Sequence, residues 1–332
     1  MKIKSIISII TFVIFSFLAS GQTPENIKKE KYKRVSEAYG YLIGQEYFFK
    51  IIKAEFPSLE LNIIRAQLLF NSTFGKSKEN LRIYLSEFLG ENEFKDYEIE
   101  LIAELKKMVA RQRVTEENAL DFITEVGTRA NGQIASPVLE TLLSFQFEDR
   151  PQDEFLLGFN KIYRTKGHPK SKNTDWQIRV PTSWRAEETD RPNIIQKFTS
   201  DYGDGNQTIM MMVKEMDLPK GYKLSKEDLN ELFTEKEMKG FISDGGKYIS
   251  FKKIMLENNI GGMLESEQIV ERLDIQIKMR LLRFIFIRDN KMYFLQGGIA
   301  SRLDFDLTSE MQKYLPLFKL VANTIVVNDQ YK

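Results

Sequence analysis

The chain of 332 residues contains no cysteine and a single histidine, His168. The first absence excludes disulfides, thiolate metal sites and cysteine nucleophiles together. The second excludes any multi-histidine metal site. A chain so composed is held by its core alone and is indifferent to the redox state of its compartment. Charge of one sign is lacking as well: 48 Lys and Arg stand against 47 Asp and Glu, for a net charge of +1. Lysine and glutamate are interleaved without long blocks, so no global field draws the protein to nucleic acid or to an acidic membrane surface. No segment after the N-terminal region is apolar enough to span a membrane.

What is present begins with "MKIKSIISIITFVIFSFLASGQ". Lys2 and Lys4 form a basic start, Ile6 to Leu18 an apolar run, and Ala19-Ser20-Gly21 a small-residue cleavage site. This pattern predicts a signal peptide over 1–21, with Gln22 opening an exported, periplasmic or extracellular chain. With no cysteine at the cleavage site it is not a lipoprotein signal. The competing reading is an uncleaved membrane anchor, since Ser5 to Pro24 is uncharged and reaches the ~20 residues that a spanning helix needs. Gln22, Thr23 and Pro24 are poor bilayer residues and favour cleavage.

From 25 to 164 the apolar residues recur at spacings of three and four, which predicts an all-α domain of about seven helices with short loops. In "YGYLIGQEYFFKIIKAEF" the inward positions include Tyr41, Phe48, Ile51 and Ile52, and Pro57 stops the helix. Ser58 is expected to cap the next one, with Leu61, Ile64, Leu68 and Leu69 as its inner face. Leu81, Tyr84, Leu85, Phe88 and Leu89 line a third helix closed by Gly90, and Ile99, Ile102, Leu105 and Val109 form the stripe of a fourth. Thr115 precedes Glu116 and Glu117, an acidic helix start. Ser136-Pro137 reads as a cap followed by a proline at the first helical position. The last helix is expected through "DEFLLGFNKIY". No fixed internal period of the solenoid type is present.

Residues 165–175, "TKGHPKSKNTD", are polar, basic and rich in turn formers, with no apolar residue to anchor them. They read as a linker, and His168 within them as a solvated loop residue with no nucleophile or carboxylate dyad to serve. From 176 to 328 the period becomes strand-like. "WQIRVP" alternates Trp176, Ile178 and Val180 with polar residues. Two strands meet at a turn between Ser200 and Gln207. A helix starts at Ser225, with Asp228 completing a capping box and Leu229, Leu232, Phe233 and Phe241 inward. Long strands follow, turning near Asn258-Asn259 and Asp289-Asn290. An amphipathic helix from Thr308 to Asn323 closes the domain, with Met311, Leu315, Phe318 and Ala322 inward and Pro316 as a kink. The order predicts an α+β domain, an antiparallel sheet with packed helices. The only two tryptophans, Trp176 and Trp184, bracket its first strand and are expected to pin it to the core.

These features carry a resemblance. "IRVPTSW" with its Pro-x-x-Trp, the hairpin "KFTSDYGDGNQTIMMMV", the helix from Ser225, "GGM" before a strand, "RFIFIRDNKMYFLQGG" and "FKLVANTIVV" make the C-terminal half similar to the PsbP/Mog1-like α/β/α sandwich group. The resemblance implies a binding or assembly factor, with no catalytic motif to carry over. The helical half resembles nothing in that group.

The search for chemistry returns little. "DYGDGN" places Asp201 and Asp204 around glycines, but it lacks EF-hand spacing and the closing glutamate, and a hairpin turn explains these residue types. "GGMLES" and "QGGIAS" have neither dinucleotide nor Walker spacing. Lys278 and Arg280 alternate with apolar residues and are expected to point away from the apolar face, a basic strip that either binds an anion or is balanced by Glu271 and Asp274. Met210, Met211 and Met212 suit an interior strand or an adaptable surface. The candidate interaction surface is therefore Asp201, Tyr202, Asp204, Lys278 and Arg280, with no catalytic, cofactor or metal site. The function expected is that of an exported, non-enzymatic binding or assembly protein contacting another envelope protein. A carboxylate-dependent enzyme such as a glycan hydrolase is the alternative, and dimerisation through the helical half is a third reading.

Overall fold

The computed structural model describes residues 26–110, 114–218, 223–243, 245–272, 275–302 and 306–331. The expected signal peptide, the alternative anchor and Asp274 lie outside them, as does the side chain of Glu271. The chain divides into two units, one ending at Glu148 and the other beginning at Asp149.

The first unit is helical. Helix α1 (Asn26–Glu55) ends before Pro57, which opens a single 3₁₀ turn, Pro57–Leu59. Helix α2 (Glu60–Phe74) starts with Leu59 at the cap position and no side-chain cap, so the expected role of Ser58 is not taken up. Helices α3 (Ser77–Leu89) and α4 (Glu91–Val109) meet at Gly90, whose φ of 90° is open to glycine at low cost. Helix α5 (Glu116–Arg129) is capped by Thr115, which accepts from the Asn118 N–H at 3.3 Å. Helix α6 (Val138–Gln146) has Pro137, not Ser136, at its cap, and the Ser136 hydroxyl turns instead to Glu140.

Aromatic residues dominate this core. Phe48 and Phe49 of α1 pack on Phe122 of α5, and Phe70 lies beside Phe74 in α2. The N-terminus of α3 is satisfied from a distance: Gln146 of α6 accepts from the backbone N–H of Lys76 and Ser77 at 2.8 and 3.1 Å. Arg129 is buried and charge-paired, donating to Gln45 and Glu125 at 2.8 and 3.0 Å, with the Tyr41 and Phe122 rings against its guanidinium.

One expected face is reversed and another is displaced in part. In α2 the buried residues are Ile63, Ala66, Phe70 and Phe74, while Leu61, Ile64, Leu68 and Leu69 are exposed. In α4 Leu105 is buried as expected, together with Phe94 and Leu101, but Ile99 and Ile102 are exposed. The cause is the same in both. Each helix carries two apolar stripes, and the one bearing the bulkier aromatic residues takes the core because it buries more area.

The second unit opens earlier than the periodicity suggests. Helix α7 covers only Pro151–Leu156, and Gly158, at φ 89°, turns the chain into strand β1 (Asn160–Arg164). Strand β1 pairs antiparallel with β2 (Trp176–Pro181), which also pairs with β10 (Val326–Val327). Residues 165–175 therefore join two strands of one sheet rather than two domains. Polar bonds replace the missing apolar anchors. Arg164 and Asp175 form a two-pronged pair at 2.6 Å on each prong, the Thr165 hydroxyl donates to Thr174 O at 2.9 Å, and Lys291 donates to Lys172 O at 2.7 Å.

The larger sheet has the order β3-β4-β5-β9-β8-β7-β6, built from Arg185–Glu187, Ile194–Thr199, Gln207–Glu215, Lys291–Arg302, Ile275–Arg288, Asn259–Arg272 and Lys247–Leu256, all neighbours antiparallel. The turns Glu257-Asn258 and Asp289-Asn290 have positive φ at both residues, as tight two-residue hairpins require. Helix α10 (Leu307–Ala322) covers one face and runs on through Pro316, which faces solvent. The short helices α8 (Lys226–Leu232) and α9 (Glu235–Lys239) lie over the other, the first with the expected Ser225–Asp228 capping box. Strand β8 accordingly alternates between two cores, Leu282, Phe284 and Phe286 under α10 and Ile285 and Ile287 under α8 and α9.

Both tryptophans are buried in this unit. Trp176 meets Phe286 and Tyr293 edge-on, and Trp184 meets Tyr314 and Phe318 of α10. One ring fastens β2 to the sheet, and the other fastens its exit to the helix. Gly297 completes the contact: a Cβ there would lie 2.5 Å from the Phe318 ring.

Candidate functional site

The five residues singled out from sequence fall at one end of the larger sheet. The β4–β5 connection contains a 3₁₀ turn, Asp201–Gly203, with φ of 51° at Asp201 and Tyr202 and 103° at Gly203. A Cβ at Gly203 would lie 2.3 Å from the Arg185 guanidinium, which would have to shift, and the φ of 103° itself favours glycine. Arg185 stands 5.9 Å from the Tyr202 ring and pairs with Glu187 at 2.8 Å. Glu187 also takes Lys197 at 2.7 Å and the Thr199 hydroxyl at 2.8 Å. These donors outweigh its burial and bring its carboxyl down to about 2.

Gln207, Ile299, Arg280 and Glu267 are cross-strand neighbours in one row. Lys278 and Arg280 therefore lie on the α10 face, the reverse of the expected direction, because β8 is apolar on both faces and Met279 and Leu281 occupy the other. Arg280 donates to Glu265 and to the Thr308 hydroxyl at the start of α10, both at 2.8 Å, and Lys278 lies 3.4 Å from Glu267. On the same end Ser200 donates to Gln207 at 2.6 Å, and Gln207 to Glu310 at 3.0 Å. The turn and the basic pair thus belong to one polar border around the N-terminus of α10. Glu265 and Glu267 stand beside the two cations, and the expected Asp274 and Glu271 side chains lie outside the described residues.

His168 has a structural task. Its Nδ1 accepts from the Lys170 N–H at 3.1 Å, and its Nε2 lies 3.5 Å from Glu188. Met211 is buried in the α10 core, and Met210 and Met212 are half-buried on the opposite face. Among the described residues no group of three His, Cys, Asp or Glu could hold a metal ion.

Three features escape sequence reasoning. Glu154 of α7 is buried and accepts from the Ser183 N–H at 2.8 Å and the Ser183 hydroxyl at 2.7 Å. Burial raises its carboxyl to about 7 against these donors. Nothing in "DEFLL" distinguishes it from the acids beside it. In the first unit a cleft of about 300 Å³ has a floor of Phe49, Phe70 and Phe74 and a rim carrying Gln67, Asn71 and the Glu46–Lys78 ion pair at 2.6 Å. The third feature is the outer face of α2, where Leu61 and Leu68 are 65% and 66% exposed.

No family model matches the chain, and no curated protein matches it. Solved structures similar to it include cyanobacterial PsbP from Synechocystis sp., at 11% identity over 51% of this chain and 94% of that one, with a TM-score of 0.31. LpqN of Mycobacterium tuberculosis, involved in cell envelope biogenesis, is 12% identical over 53% and 96% of the two chains, with a TM-score of 0.32. The Ran-binding protein Mog1p of Saccharomyces cerevisiae is 10% identical over 52% and 97%, with a TM-score of 0.33. PsbP and Mog1p are the proteins for which the group resembled by the C-terminal half is named.

Proposed function

We propose that the chain is an exported, non-enzymatic binding or assembly protein of the cell envelope that contacts another protein. The observation that supports this reading is the outer stripe of α2. Leu61, Ile64 and Leu68 recur at helical spacing on the side away from Ile63, Phe70 and Phe74, and all three face solvent. Scattered exposed leucines need no explanation, but an aliphatic row along one helix is the form in which a helical partner is read. Export rests on the N-terminal pattern of residues 1–21. No helix among the described residues is long and apolar enough to cross a membrane. The glycan hydrolase alternative needs two facing carboxyl groups roughly 5–10 Å apart. Among the described residues lining the cleft of the helical unit, Glu46 is the one acid, and it is held by Lys78.

The test is a photo-crosslinking residue at position 68 of the full chain, residues 1–21 included, expressed in its native cells, with position 252 as an exposed control. The expected result is one stoichiometric adduct from position 68, abolished by Leu61→Glu. Labelling no stronger than at the control position would remove the reading. An adduct with a second copy of this chain would replace it with dimerisation.

A further inference from the structure

The α8–α9 face of the larger sheet holds a cation with no counter-ion among the described residues. Arg283, in the middle of β8, is half-buried. Its Nε donates to Gln296 Oε1 at 2.9 Å and its Nη1 to the Phe241 carbonyl at 3.2 Å. Both acceptors are neutral, and a guanidinium has five N–H donors, so among the described residues most of its capacity and all of its charge are uncompensated. Burial pulls its pKa below the usual guanidinium range, with no carboxylate opposing the shift. The other half-buried arginines described in this unit are served differently: Arg280 has Glu265 at 2.8 Å and Arg288 has Asp289 at 3.3 Å.

Its surroundings are those of a contact surface. Met210, Gln296 and Arg283 form one cross-strand row, with the Gln296 amide 3.9 Å from the Met210 sulfur. Met212 and Phe294 are half-buried nearby on the same face. Glu187, across β4 and β5, is already taken by Arg185 and Lys197. A desolvated charge left unpaired is costly, and a flexible apolar rim of methionine adapts to what covers it.

We infer that this face binds an acidic segment of a protein partner, a carboxylate of the segment pairing with Arg283 while its apolar neighbours pack on Met210 and Met212. Arg283 is pre-oriented by Gln296 and the Phe241 carbonyl, which fix the guanidinium plane and leave its outer edge for a two-pronged carboxylate contact. This surface is independent of the stripe on α2.

The experiment is a titration of methyl-labelled methionine protein with the blocked peptide Ac-Glu-Leu-Leu-Glu-NH2 and its Gln counterpart, followed by NMR. Saturable shifts of the Met210 and Met212 methyls are expected with the Glu peptide. They should weaken at least about tenfold with the Gln peptide, vanish in Arg283→Gln and be weakened but retained in Arg283→Lys, which keeps the charge and loses the second prong. Shifts that are absent, equal for the two peptides, or retained in Arg283→Gln overturn the inference. A second readout guards against misfolding. Because the charge has no internal partner, Arg283→Met should leave the melting temperature unchanged or raise it, and a fall of several degrees would make Arg283 a structural strut instead. Crosslinking at position 68 is unaffected by either result, so failure here leaves the proposed function standing.

Discussion

The two units dispose of apolar surface in opposite ways. In the second, the larger sheet has helices on both faces, and β8 is apolar on both sides because α10 lies over one and α8 and α9 over the other. In the first, α2 is also apolar on two sides, but only the side bearing Phe70 and Phe74 is covered. The 3.6-residue period places Leu61, Ile64 and Leu68 on roughly the opposite flank. Two-sided apolarity is therefore a requirement of packing in the strand and a surplus in the helix. A surplus at helical spacing is where a binding function is to be sought.

The comparison is broken most readily at the aromatic anchors, which should cost alike in both units. Phe70→Ala and Trp176→Ala each remove a buried ring, and each should destabilise its own unit by about 3–5 kcal/mol. Urea unfolding checks this, with helical dichroism following the first unit and the fluorescence of Trp184 the second. Trp176→Phe should cost far less than Trp176→Ala. The indole N–H of Trp176 is buried without a partner, so phenylalanine keeps most of the packing and sheds an unsatisfied donor.

The next effect in size belongs to Glu154 and depends on pH. Its carboxyl is held at about 7 in the folded protein against a usual 4.5. Between those values the folded protein keeps a proton that the unfolded chain has released, so this group makes stability fall as pH rises. The loss, on the order of 3 kcal/mol at most, is complete above pH 7. Glu154→Gln cannot titrate, and the difference in unfolding free energy between wild type and variant should shift against wild type from pH 5 to pH 8. A constant difference across that range would show that the Ser183 donors hold Glu154 ionised throughout.

Strands were easier to read from the sequence than helix faces, for a physical reason. A strand that alternates, such as Trp176, Ile178 and Val180, offers one apolar face, and all three residues are fully buried. The capping box at Ser225, the turn at Asp289-Asn290 and the α+β layout were legible in the same way, because each is dictated by local chemistry. A helix with two apolar stripes has no such cue, since only the tertiary neighbours decide which stripe is covered. Residues 165–175 were misread because their anchors are polar: Arg164, Thr165 and Asp175 fix the loop through hydrogen bonds that leave no apolar signature. Of the candidate site, residue types and turn were legible. That Lys278 and Arg280 face α10, and that Arg283, three positions on and on the opposite face, has no carboxylate among the described residues, depends on which acids stand on the neighbouring strands.

Gly297 sharpens the contrast at a smaller scale. Adding a methyl there forces the Phe318 ring away from β9, and Gly297→Ala should cost about 1–3 kcal/mol in the fluorescence-monitored transition. Gly127, on the covered side of no sheet, is the matched control: its nearest neighbour is Leu69 at 3.9 Å, which is ordinary contact. Gly127→Ala in α5 should be neutral or stabilise the helical unit by up to about 1 kcal/mol, since alanine is the better helix former.

The smallest stability effect is expected where the functional effect is largest. Leu68 is 66% exposed, so Leu68→Ser removes little buried area and should change the unfolding free energy by no more than about 0.5 kcal/mol. Phe70, two residues on and facing inward, should lose several times more when truncated. If Leu68→Ser instead destabilises the unit as Phe70→Ala does, the outer stripe is part of the fold and the contrast between the units disappears. If stability holds while the partner adduct is lost, the two stripes of α2 are divided between folding and binding. The aliphatic row then persists against the ordinary preference for a polar helix surface because a partner covers it.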